Sequence, residues 1–386
     1  MKMALGSVVL SILVMLLSVA AGKGMQNKIK EKISAFSGHI LILPYNNNHS
    51  RLTLEPLSIN RDFYAHPERY PSIRHISPFA TIGGLLSNGK DFEGIILKGV
   101  DSSYDWHIFR SYLTKGKIPH YGGKAYNDTI LISEYLASRL RLDTGRHVRA
   151  YFLRQGSDKP LVRRFTVGGI YRTDFEDFDK TYIWGDLRHV RRLYGWADTL
   201  AGGFEVITPD FDRIEEEAFR LNHRIDPQLR ALSIRQLNPY LFDWLDMFDF
   251  NIYLIIGILL LVVALNMSVV LLVMIIERTR FIGVLKTLGA TNRSVMQVFL
   301  LLAARLIFWG LVAGNLLALL IIWLQQKTGF LKLDPETYYV RTVPLEIEPA
   351  YFLYLNLFVL VVILAVLLLP AAYITRISPS EVMKYE

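Results

Sequence analysis

The sequence predicts an α+β membrane protein: four transmembrane helices, with one large water-exposed α+β domain between the first and the second. Three observations carry this. Residues 4–22, 252–276, 298–324 and 350–369 are apolar stretches near the roughly 20 residues that cross a bilayer. Residues 37–240 instead alternate strand-like and helix-like patterns. Mean hydropathy is positive although 20% of the 386 residues are charged, a mixture of spans and one aqueous domain.

Two readings of the first stretch are open. Met1-Lys2, an apolar run and then Ser18-Val19-Ala20 resemble a signal peptide with its cleavage site. The run is long for that, and Met25, Ile29, Ile33 and Phe36 continue a helical stripe beyond it. The second reading, a retained span running into a stalk helix, is favoured. Orientation follows from the short connections. Arg278, Arg280, Lys286 and Arg293 place the loop between spans two and three in the cytoplasm. Residues 325–349, with Asp334, Glu336, Glu346 and Glu348, then lie outside, and the tail returns inside. By parity the large domain is extracytoplasmic. Lys23, Lys28, Lys30 and Lys32, on the outer side of span one, oppose this orientation. The expected division is a first span and stalk (1–36), an extracytoplasmic domain (37–245) and a three-span portion (246–386).

Within the domain, residues 38–43, 92–100, 147–153, 163–171 and 202–208 have the β-branched and aromatic character of strands. Residues 132–142 and 213–225 place apolar side chains at helical spacing. No internal repeat is evident. With no cysteine in the chain, disulfides, zinc-thiolate centres and cysteine nucleophiles are excluded. The formal charge of +8 is scattered rather than clustered with aromatics, which argues against nucleic acid and leaves anionic lipid or acidic partners.

Sites of chemistry are weakly supported. Gly84 to Lys90 has the spacing of a phosphate-binding loop, but Asp91 stands where a hydroxyl must hold magnesium, so a hairpin turn is expected. Asp174, Glu176, Asp177 and Asp179 lack the central Gly and terminal Glu of a calcium loop and read as a solvated connection. The nine histidines show no metal spacing. No GxSxG elbow occurs. Neither an enzyme, a cofactor nor a metal is expected. In the spans, Asn266, Arg305 and Asn315 are polar groups at membrane depth, and Gly310 and Gly314 form a GxxxG pattern suited to close packing.

The most informative stretch is ERTRFIGVLKTLGATNRSV, residues 277–295, between two apolar runs. Read as a helix, Phe281, Ile282, Leu285 and Leu288 form an apolar stripe flanked by Glu277, Arg278, Arg280 and Lys286. Gly289 suits a left-handed stop, and Thr291 suits the cap of the next helix. An interfacial helix on lipid headgroups is the bland reading. A rigid lever docked on a cytoplasmic partner, through Ile282, Leu285 and Leu288, is the sharper one.

These residues resemble the signature of FtsX-like ABC transporter permeases. The tail PAAYITRISPSEVMKYE (370–386), PETYYVRTVPLEIEP (335–349) and DTILISEYLASRLRLDTGRHV (128–148) are similar to the lipoprotein-releasing (LolC/LolE) subfamily. The resemblance implies a MacB-like extracytoplasmic domain and a non-catalytic permease in the bacterial inner membrane, its large domain in the periplasm. It further implies a LolD-like cytoplasmic ATPase, a second permease chain, a lipoprotein substrate, a periplasmic carrier and membrane lipid as partners. Residues 277–289 would couple the ATPase to the spans. Three departures stand out, the first being Arg305, where the family usually has an apolar or small residue. Only Met1-Lys2 precede span one, where the family has a short cytoplasmic segment. Residues 154–164 are short where LolC-type members carry a hook for the carrier, so that role is not supported. A MacB-like efflux transmitter and an FtsX-like regulator of cell-wall hydrolases are the rival readings within the architecture.

Overall fold

A computed structural model describes residues 2–47, 50, 52–107, 109–123, 125–153 and 159–372. The chain divides into two units, one comprising Met1–Asn27, Asp243–Leu333 and Thr342–Glu386, the other Lys28–Phe242 and Asp334–Arg341.

The chain opens with α1 (Lys2–Ser37), then β1 (Ile40–Pro44), β2 (Leu57–Ser58), α2 (Asp62–Ala65), β3 (His75–Ser87), β4 (Phe92–Val100) and β5 (Leu113–Gly116). There follow β6 (Thr129–Ser133), α3 (Glu134–Arg139), β7 (His147–Phe152), β8 (Leu161–Tyr171), α4 (Glu176–Asp179), β9 (Tyr182–Asp186) and α5 (Leu187–Tyr194). Next come β10 (Leu200–Ala201), β11 (Gly203–Ile207), α6 (Ile214–Asn222), β12 (Leu229–Ser233) and α7 (Ile234–Leu237). The last helices are α8 (Pro239–Glu277), α9 (Thr279–Thr287), α10 (Asn292–Thr328), α11 (Pro335–Tyr338) and α12 (Pro349–Ala371).

In the first unit, four helices among the described residues are long and apolar enough to cross a membrane: α1 from Leu5, α8, α10 and α12. They coincide with the four stretches read from the sequence. At about 1.5 Å per residue, the 39 residues of α8 exceed a hydrocarbon core of about 30 Å. The helices share one buried cluster that includes Ile12, Met15, Met267, Leu271, Ala303, Ile307, Val359 and Ile363. Gly310 and Gly314 give the reason α10 lies so close to α1. A Cβ at Gly310 would come within 2.5 Å of Val8, and one at Gly314 within 2.9 Å of Ile12. Asn315 and Asn356 exchange amide hydrogen bonds of 2.7 and 3.0 Å between α10 and α12. Asn266 donates to Ser7 Oγ at 2.7 Å.

The second unit is built on one ten-stranded sheet, ordered β12-β1-β11-β3-β4-β9-β6-β8-β5, with β7 pairing both β3 and β8. Most pairs are antiparallel, and β4–β9 and β6–β8 are parallel. Thirteen residues long, β3 pairs with β4 on one side and with β11 and then β7 on the other. Gly84 permits the β7 branch, because a side chain there would strike the ring of Phe152 and the carbonyl of Tyr151. The Gly84–Lys90 stretch is the β3–β4 hairpin: Asn88 Oδ1 accepts from the backbone N–H groups of Lys90 and Asp91, each at 2.8 Å, and Gly89 has φ +100°.

Candidate functional site

Three places in the chain stand out by their contacts: α9 between α8 and α10, the C-terminal end of α1, and the loop that receives residues 334–341.

The first lies between α8 and α10. Thr279 Oγ1 donates to the carbonyls of Ile275 and Ile276, at 3.1 and 2.8 Å, which closes α8. Arg278 is the N-cap of α9 and Glu277 the last residue of α8. At the far end, Ala290 N–H donates to Leu285 O at 2.9 Å and Gly289 N–H to Lys286 O at 3.1 Å. With Gly289 at φ +93°, this is a Schellman stop. Thr291 Oγ1 then accepts from Ser294 N–H at 3.2 Å and starts α10. A nine-residue helix is thus fixed at both ends.

Its faces differ from the expected stripe. Ile282 is fully buried, in the same cluster as Ile275, Val295 and Phe299, so it holds α9 to the spans and is not available for docking. Leu285 is half-buried. The outward apolar face is Phe281, Val284 and Leu288, at 57, 55 and 79% exposure. Glu277, Arg278 and Arg280 are exposed beside it, and Lys286 is half-buried. Two apolar stripes run side by side along this helix, and spacing alone does not say which one faces the spans.

The second place is the end of α1. Phe36 is buried among Phe109, Tyr112, Phe178 and Trp184, its ring centroid 5.2 to 5.5 Å from each of theirs. Lys98 Nζ donates to the Phe36 carbonyl and, at 2.5 Å, to Glu205 Oε1. Burial lowers the Lys98 pKa and raises that of Glu205, while each charge favours the other's ionised form. A fully desolvated ion pair is costly to break by removing one member, so the last turn of α1 is socketed by a strong contact. Sequence reading missed this pair. Its signal was there: Lys98 and Glu205 sit singly within otherwise apolar strand segments, IILKGV and GGFEVIT.

The third place explains the lysines that opposed the orientation. Lys23 pairs with Asp249 at 2.8 Å, Lys28 with Glu31 at 2.7 Å and Lys30 with Asp212 at 3.0 Å. Lys32, 5% exposed, donates to the carbonyls of Thr173 and Tyr339, both at 2.6 Å. Tyr339 belongs to the connection between α10 and α12, yet stacks on Phe175 at 4.5 Å. Arg341 donates to Asp174 at 3.0 Å, as does Arg172 at 2.8 Å. Asp179 accepts from Thr173 Oγ1 at 2.8 Å and from the N–H groups of Thr173 and Asp174 at 3.1 Å. Burial still raises its pKa to about 6. Asp174 and Asp179 therefore belong to a structured loop that receives residues 334–341, while Glu176 and Asp177 are exposed, as a solvated connection would have them. No group of side chains suited to a metal occurs among the described residues.

The model of the MacB-like periplasmic core domain matches residues 3–221, more than half of the chain, and that of the FtsX-like permease C-terminal region matches residues 253–379. The chain belongs to the FtsX-like and MacB-like permease family. Among similar proteins, the lipoprotein-releasing system transmembrane protein LolC of Xylella fastidiosa (strain Temecula1 / ATCC 700964) is 21% identical over 98% of this chain and 92% of that one. LolE of Haemophilus influenzae is 22% identical over 97% and 92%. The periplasmic region of MacB from Actinobacillus actinomycetemcomitans has 14% identity and a TM-score of 0.36, covering 52% of this chain and 91% of that one. As a permease of this family, the protein lies in the inner membrane with its α+β unit in the periplasm. ABC permeases of this family work with an ATPase subunit and a second permease chain.

Proposed function

We propose that this permease is the transmembrane subunit of a lipoprotein-releasing ABC transporter, passing ATP-driven motion to its periplasmic domain so that a lipoprotein leaves the inner membrane. The observation that carries this reading is the end-to-end likeness to LolC and LolE, which spans both units. The division of labour follows: residues 1–36 form span and stalk, 37–245 the periplasmic domain, and 246–386 the permease portion.

In this reading a LolD-like ATPase grips α9 on Phe281, Val284 and Leu288, with Glu277, Arg278 and Arg280 as the polar rim. Ile282 and the half-buried Leu285 hold α9 against the spans, and Gly289 ends it. The socket of Phe36 and Lys98 keeps α1 from slipping in the domain it moves. The permease supplies no bond chemistry of its own; its task is to transmit work. Extraction opposes about 0.8 kcal/mol per CH₂ leaving the bilayer, so roughly 12 kcal/mol for one acyl chain of about sixteen carbons. Spontaneous release is negligible against that cost, which is why coupling to ATP is required. A periplasmic carrier would receive the cargo; the short segment expected to lack a hook includes residues 154–158, which lie outside the described residues.

The test is depletion of the protein followed by localisation of lipoproteins between the two membranes. Accumulation in the inner membrane is expected. Normal sorting of lipoproteins together with a defect in efflux or cell-wall cleavage would assign the protein to another branch of the family.

A further inference from the structure

The apolar stretches 5–22, 252–276, 298–324 and 350–369 contain no Asp or Glu, and one cationic side chain, Arg305. It lies on α10 and is exposed, with no hydrogen bond or ion pair from the described residues. Its neighbours a turn away on the same face are exposed too: Leu301 at 69%, Leu302 at 48%, Phe308 at 55% and Trp309 at 55%. The opposite face, with Ala303, Leu306, Ile307 and Gly310, is the buried one. Arg305 therefore lies on the outward face of α10, away from the buried cluster.

A bare guanidinium in hydrocarbon is costly, so it must reach an anion or water. Helical side chains lean towards the helix N-terminus, and the N-terminus of α10 is its cytoplasmic end. Arg305 lies seven residues past Val298, where the apolar stretch begins, hence about 10 Å into it along the axis. A long side chain leaning that way carries its charge towards the inner-leaflet phosphates.

We propose that Arg305 binds the phosphate of an anionic glycerophospholipid in the cytoplasmic leaflet, whose acyl chains run over Phe308 and Trp309. A second copy of this chain is a poorer occupant: it offers no carboxylate at that depth. At the cytoplasmic end it would bring Arg278, Arg280 and Arg293 against the single carboxylate of Glu277. The same basic side chains favour a lipid with net negative charge over a zwitterionic one.

The test places the full chain in nanodiscs of phosphatidylcholine, with or without phosphatidylglycerol, and counts the lipid retained after detergent extraction by native mass spectrometry. Wild type is expected to retain phosphatidylglycerol in preference to phosphatidylcholine. Arg305→Leu, apolar on an apolar face and so benign for folding, should lose that retention roughly fivefold, the factor one basic side chain contributes at an anionic surface. Arg305→Lys should keep most of it. Retention in Arg305→Leu equal to wild type overturns the proposal. So does unchanged lipid retention with loss of chain–chain cross-linking in that variant, which would assign the face to a protein contact.

Discussion

The ammonium of Lys32, near the end of α1, donates to the backbone carbonyl of Tyr339 at 2.6 Å, and to that of Thr173 at the same distance. Tyr339 lies in the connection between α10 and α12. Two segments that are covalently continuous with membrane spans therefore meet on one loop of the periplasmic unit.

Replacing Lys32 by Met keeps much of the volume and removes the donor. One buried and one half-buried carbonyl then lose a charged partner, at a cost of about 2–3 kcal/mol. The chain has no native cysteine, so Val340→Cys, at a position 4% exposed, is a unique probe. Maleimide should label it slowly in the parent and much faster in the Lys32→Met background. Equal rates would mean that Lys32 does not hold the segment.

Ile282 and Leu288 should separate two roles within α9. Ile282→Asp buries an unpaired charge in the transmembrane cluster and should cost the chain several kcal/mol of its own stability. The check is a much lower amount of folded protein after mild solubilisation. Leu288→Asp should leave that amount unchanged and abolish co-purification of the ATPase. A folded Ile282→Asp protein that has lost the ATPase would return Ile282 to the docking face read from the sequence.

Close approach of α10 to α1 rests on Gly314. Gly314→Val should destabilise the solubilised protein by about 1–3 kcal/mol through overpacking against Ile12. Gly257→Val, where no atom lies within 4 Å of a built Cβ, is the control and should be near neutral. Thermal unfolding in detergent distinguishes the two.

The four spans and five of the strands were legible because their signals are local: apolar length for the first, alternation and β-branching for the second. β3 was not. Pro78, Gly83 and Gly84 interrupt its pattern, yet Gly84 is needed where β7 branches off. α9 was legible in place and in its caps, since Gly289 and Thr291 announce themselves by residue type. Its outward face was not, because only the packing of Ile282 decides it. Lys98, Glu205 and the Lys32 cluster join residues far apart in sequence, and no spacing rule connects them.

His39 should make stability fall on acidification. Burial, then the charge of Arg74, lowers its pKa from 6.5 to about 4. Its Nδ1 accepts from the Thr208 N–H at 3.1 Å, which requires the neutral ring. A depressed folded pKa means the unfolded chain takes the proton first. The stabilisation is therefore present above about pH 6.5 and is lost as pH falls towards 4, amounting to at most about 3 kcal/mol. His39→Asn keeps an acceptor and removes the titration. The urea midpoint followed by tryptophan fluorescence should drop between pH 7 and pH 5 more in wild type than in this variant. An equal drop would exclude His39 as the source.

The central claim is that α9 is the handle through which ATP hydrolysis moves the periplasmic unit. The direct measurement is ATP-dependent release of a lipoprotein from proteoliposomes containing the ATPase and either wild-type permease or Leu288→Asp. Release by wild type, and none by a Leu288→Asp protein that inserts and folds normally, is the predicted result. Release at the wild-type rate from Leu288→Asp would contradict the account.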